Sequence, residues 1–188
     1  MARSRQSPAK PRQLRLTRNH GWKAAPGHKI LVLDRGAVRV DYPASWFMEM
    51  TDDCIKLHDR KPPDDDFAFG FSYHRWPTMA AAQIPVADLV RSGMEGDPRA
   101  FTSVSEAVTE MRIDTELAWA DGYFIDPIGR REACGRFCIA RRTGIQALIT
   151  LDFWVSDRAI CDEHWRAILA SLQVARWIED IDKGPVYS

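Results

Sequence analysis

GIQALITLDFWV, residues 144–155, runs without a break into SDRAICDEHWRAILASLQVA, residues 156–175. In the first half, Ala147, Ile149, Leu151 and Phe153 fall on one face and Leu148, Thr150, Asp152 and Trp154 on the other, which is the period of a strand. The second half changes period. Ile160, His164, Ala167, Ile168, Ser171 and Leu172 recur at helical spacing, and Ser156 or Asp157 stands where an N-cap belongs. A strand that feeds a long amphipathic helix at the end of the chain predicts a helix laid on an antiparallel sheet, the α+β arrangement.

Upstream, the same reading extends the sheet. REACGRFCIARR (131–142) joins the strand above through the turn Arg142-Thr143-Gly144, and DTELAWADGYFID (114–126) precedes it, behind FTSVSEAV and TEMRI (101–113). VADLVRSGM (86–94) reads as a short helix, with Val86, Leu89, Val90 and Met94 on one side and Gly93 and Gly96 as stop signals. FAFGFSYHRW (67–76) is a strand. WFMEM and CIKLH flank Thr51, Asp52 and Asp53 as a hairpin, and HKILVLDRGAVRVDYP (28–43) is another, turning at Asp34, Arg35 and Gly36. Pro43 has no N–H for a ladder, so the strand ends there and Trp46 is free to fold onto the core. No βα alternation is present, which excludes Rossmann and barrel folds. The expected fold is an α/β/α-type sandwich around a central antiparallel β-sheet, with a long C-terminal helix.

At 188 residues, with 45% apolar and 28% charged residues, the chain suits one soluble domain. Residues 1–29 carry eight basic residues and no acid, although the net charge is zero, so a basic tail precedes an acidic body. We expect a flexible tail over 1–27, one domain over 28–180 and a short tail over 181–188. The tail offers a nucleic acid only weak, non-specific contact, since Trp22 is its one aromatic. It has no apolar run of a secretory signal, and no later stretch approaches the ~18 apolar residues of a membrane span. Four scattered cysteines make no disulfide framework. A cytoplasmic location is expected.

The opening hairpin, the Tyr42-Pro43-x-x-Trp46 corner, the two prolines Pro77 and Pro85 before a short helix, the late hairpin and Trp165-x-x-Ile168-Leu169-x-Ser171-Leu172 together resemble the PsbP-like superfamily. That group includes the extrinsic PsbP protein of photosystem II, bacterial DcrB-type proteins and a nuclear-import factor that binds Ran. The resemblance covers roughly residues 28–180. It implies an accessory or binding protein rather than an enzyme, with a protein partner.

Catalytic and cofactor motifs are missing: there is no Gly-x-Ser-x-Gly, Walker loop, Gly-x-Gly-x-x-Gly, His-Glu-x-x-His or Cys-x-x-Cys. No cofactor is expected. Cys54 with His58, and Cys134 with Cys138, are four apart on strands and therefore roughly 13 Å from one another, too far to share an ion. Cys161-x-x-His164 has usable spacing but lacks partners, so no metal is expected. The remaining signal is polar alternation. If the faces of the last three long strands align, Asp114, Glu116, Arg136, Thr150 and Asp152 form one patch beside Cys138 and Trp154. Arg136 would be the anchor of that patch for a partner's carboxylate or phosphate. An acidic small-molecule or hydrolytic site is the alternative, because carboxylates held close together raise one another's pKa.

Overall fold

A computed structural model of the chain describes residues 23–51, 53–75 and 83–176. β1 (His28–Leu33) and β2 (Val38–Pro43) form the expected hairpin. Its turn is left-handed at Asp34, Arg35 and Gly36, with Gly36 at φ 106°, a value that suits a residue without Cβ. There follow β3 (Phe47–Met50), β4 (Ile55–His58), β5 (Phe67–Arg75), α1 (Val86–Glu95), β6 (Ser103–Val104) and β7 (Val108–Arg112). β8 (Thr115–Ile125), β9 (Glu132–Arg142), β10 (Ile145–Trp154), α2 (Arg158–Ser171) and β11 (Gln173–Val174) complete the order.

Eight strands make one antiparallel sheet in the order β3-β4-β5-β10-β9-β8, with β6 and β7 sharing the outer edge of β8. The strands β1, β2 and β11 form a second, smaller sheet. The helices cover opposite faces of the large sheet. α1 buries Val86, Val90 and Met94 against Ala118, Ala120 and Ile139, whose small neighbours on β8 let the helix approach. Gly93 faces Phe137, and a Cβ there would lie 2.6 Å from the ring. On the other face Cys161, Trp165, Ile168 and Leu169 of α2 join Phe69, Phe71, Leu117, Ile149 and Leu151, together with Val38 and Val40 of the small sheet. The result is the α+β sandwich expected.

The buried stripe of α2 differs from the sequence reading. Ile160 is half exposed, and the stripe is turned to Cys161, Trp165, Ile168 and Leu169. Trp165 decides the rotation, because its ring has the most apolar area to hide and stacks on Phe69 with centroids 6.1 Å apart. Asp157 occupies the N-cap position, but its side chain makes no capping hydrogen bond.

Pro43 ends β2, and the Trp46 N–H donates to its carbonyl at 3.1 Å as the chain crosses from the small sheet to the large one. The Trp46 ring is buried against Phe67, Phe69 and His164. The corner is structural. The expected tails lie outside the described residues over 1–22 and 181–188, as do Asp52, Trp76 and Pro77. Within the described part of the expected tail, Gly27 accepts a hydrogen bond from the Ala44 N–H at 2.8 Å, and Ala25 accepts one from the His28 N–H in a local turn. No described helix is long and apolar enough to cross a membrane.

Candidate functional site

The strand register takes Arg136 out of the five residues read as one patch. Arg136 stands opposite Leu151 and Asp121, whereas Asp152 stands opposite Gly135. Adjacent positions on a strand point to opposite faces. Arg136 therefore faces α2 with Leu151, and Thr150, Asp152 and Trp154 face the other way.

Arg136 is buried, not solvated. Its Nε and Nη2 donate to the two Asp121 carboxylate oxygens at 2.6 and 3.0 Å, and Nη2 also reaches Asp162 Oδ1 on α2 at 2.9 Å. Arg158, at the start of α2, donates to Asp121 at 3.0 Å and to the Tyr123 hydroxyl at 2.5 Å. The Arg136 guanidinium lies over the Trp165 ring, 5.0 Å from its centroid. Burial alone would raise the Asp121 carboxyl, but the Arg136 and Arg158 donors outweigh it and hold the group below its ordinary value. These bonds fasten α2 to β8 and β9, so Arg136 is not an accessible anchor.

The other predicted residues are dispersed. Asp152 pairs with Arg99, which also grips Asp97 through Nη2 at 2.7 Å. Trp154 is covered by the Arg131 guanidinium at 4.4 Å. Thr150 Oγ1 sits over Gly70, where a Cβ would come within 2.5 Å. Glu116 pairs with Arg141 at 2.7 Å, and Asp114 with Arg142 at 2.5 Å. These carboxylates pair with different arginines, and Asp114, Glu116 and Asp152 do not share a pocket.

A different set converges. Where the small sheet, the end of α2 and the β7–β8 turn meet, a cleft of about 490 Å³ is lined by Lys23, Arg39, Arg112, Arg142 and Arg176, with Asp41 and Asp114 as the carboxylates. Arg39 is buried, donates to the Ser171 carbonyl at 3.2 Å and pairs with Asp41 at 2.7 Å. Burial outweighs that pairing and raises the Asp41 carboxyl above its ordinary value. Arg142 donates to the Val174 carbonyl at 3.0 Å. Arg176 stands 3.8 Å from Asp114, and Arg112 pairs with Glu110 at 2.6 Å. The arrangement can receive a carboxylate or a phosphoryl group, because guanidiniums fixed by carbonyls keep further N–H donors for an incoming oxyanion. Sequence reasoning missed these residues. Each comes from a different segment, from Lys23 ahead of β1 to Arg176 after β11, and only the topology brings these segments together.

Among the described residues no three His, Cys, Asp or Glu side chains gather as metal ligands. The four cysteines are free thiols. Burial pushes Cys134 and Cys161 up to about 12 and raises Cys138 as well. Alkylation of the native protein at pH 8 should therefore modify Cys54, the least buried, and spare the other three. Intact-mass analysis showing more than one adduct on folded protein would contradict this.

A family model described as Alr1449 matches residues 29–178. The alr1449 protein of Nostoc sp. is 33% identical over 172 residues, which covers 91% of this chain and 90% of that protein. Among solved structures, the cyanobacterial PsbP (CyanoP) of Synechocystis sp. superposes with a TM-score of 0.60 at 9% identity, over 80% of this chain and 94% of its own. LpqN, a Mycobacterium tuberculosis protein involved in cell envelope biogenesis, gives 0.52 at 12% identity, over 78% and 89%. At such identities the likeness is one of fold. The chain has a PsbP-like fold and belongs to the Alr1449 family.

Proposed function

We propose that the protein is a non-catalytic binding protein that takes an anionic group of a protein partner into the cleft between β2, β11 and the end of α2. One observation carries the reading: five cations from five separate segments line this space, and two carboxylates oppose them. Arg39 and Arg142 are already ordered by carbonyls and by their own carboxylates, so little side-chain entropy is lost when a ligand arrives. Arg176 and Lys23 are exposed at the rim and draw an acidic partner in. The alternative of a hydrolytic acidic patch has less support, since the carboxylates it needs face arginines rather than one another. A cytoplasmic location belongs to the same proposal and is supported by four free cysteines, three of them buried.

The test pairs Lys23→Glu with Arg176→Glu. The double variant should unfold as the wild type does and recover little of the partner that the wild type captures from its own cells. Titration with a short glutamate-rich peptide should show binding that weakens with salt and falls about tenfold or more in the variant. Equal capture and equal peptide affinity would return the cleft to ordinary surface.

A further inference from the structure

We infer that a second copy of this chain docks on the outer edge of the large sheet at β7, continuing the sheet through a two-fold axis at Met111. β7 pairs with β8 on one side, and among the described residues no strand pairs with its other side. The register Arg112 to Thr115 leaves a two-residue loop, Ile113 and Asp114. Such a loop closes on a hydrogen-bonded pair, and the alternation of an antiparallel ladder then turns the N–H and C=O groups of Thr109 and Met111 outward. Exposed edges are usually blunted by charged side chains, lysine above all, by proline or by a bulge. β7 has no lysine, proline or bulge, and its two charges, Glu110 and Arg112, are of opposite sign. It presents Met111 at 66% exposure and Val108 at 48%, and Ile113 of the adjoining turn is 91% exposed.

The residues of this edge match themselves. An antiparallel copy centred on Met111 sets Met111 against Met111, and Glu110 against Arg112 of the second copy, twice. Within one chain Glu110 and Arg112 already pair at 2.6 Å. In the dimer they become an alternating quartet on one face, with the two Met111 side chains together on the other. Shifting the centre by one residue brings Glu110 against Glu110 or Arg112 against Arg112, and turns inward-bonded groups toward the partner. The opposite edge does not substitute. β3 joined to β7 is a head-to-tail contact that gives a ring or an open filament rather than a dimer, and Glu49 of β3 is engaged with His58 at 3.3 Å.

Arg112 also lines the basic cleft, whereas Met111 points to the other face of the strand, so the two proposals are tested apart. Sedimentation equilibrium of the full chain should show the mass rising from 21.4 kDa toward twice that value, with a midpoint on the order of 10 µM. Met111→Lys should sediment as a monomer with its thermal unfolding unchanged. Glu110→Arg alone and Arg112→Glu alone should each be monomeric, and their mixture should form a dimer of one chain of each, identified by native mass spectrometry. A wild type still monomeric at about 0.1 mM, or a dimer indifferent to Met111→Lys, would overturn the inference. So would slow amide exchange at Thr109 and Met111 in the monomer, which would put another segment of the same chain on this edge.

Discussion

Arg136→Ala is expected to lower the free energy of unfolding by about 3–5 kcal/mol, read as a fall in Tm of roughly 10 °C. The substitution leaves the buried Asp121 carboxylate with only Arg158, cuts the tie to Asp162 on α2 and opens a gap beside Trp165. Most of the cost is the orphaned charge, and a second variant isolates it. Arg136→Met combined with Asp121→Leu removes both charges and should be the milder lesion, because no buried group then lacks a partner. The same cluster sets acid sensitivity. A carboxyl lowered on folding contributes stability that is fully present above its unfolded value, ordinarily 3.8, and is lost as pH falls through the folded value. The wild type should accordingly lose more stability below about pH 4 than the double variant. An Arg136→Ala protein within about 1 kcal/mol of wild type would show that the network is dispensable.

Trp46→Ala should cost about 3–5 kcal/mol. The indole stacks on Phe69 at 5.5 Å and meets Phe67 and His164 edge-on at 5.3 and 5.1 Å. It is therefore a three-way joint between the small sheet, the large sheet and α2. A second readout separates loss of this joint from general softening. Burial holds the His164 imidazole below its ordinary 6.5, which favours the neutral ring and adds stability above pH 6.5 that fades as pH falls through the folded value. Opening the corner should let water in and move the His164 titration back up, as NMR would record. A melting temperature and a His164 titration both unchanged would mean the ring is not core.

Local periodicity reveals elements better than it reveals faces. β9, β10 and α1 were legible because their spacing is set within ten or so residues and their turns carry Gly144 and Gly96; Gly93, expected as a stop signal, instead lies within α1, where the missing Cβ makes room for Phe137. Arg136 was misread because alternation divides a strand into two faces without saying which is wet. In β9 both faces are covered: Cys134, Cys138 and Ala140 lie against the larger core, and Ile139 and Phe137 against α1. Hydropathy therefore could not choose, and the deciding fact, Asp121 opposite Arg136, is a matter of register. The α2 stripe was off by one position for a related reason, since Trp165 outweighs Ile160 only once Phe69 and Trp119 are in place to receive it. The basic cleft draws single residues from segments spread from Lys23 to Arg176, and no window of sequence contains it.

The small sheet carries a consequence for how the chain is made. Val38 of β2 pairs with Val174 of β11, and the Asp41 N–H donates to a Ser171 hydroxyl 130 residues further along. During synthesis at about 5–20 residues per second, the first hairpin must wait on the order of 10 s for its third strand. Throughout that interval the apolar side of Val38 and Val40 is open to any other nascent strand. Crowded polysomes are where this protein is most at risk of pairing with the wrong neighbour, and a holdase that shields residues 28–43 would act on it before the fold exists.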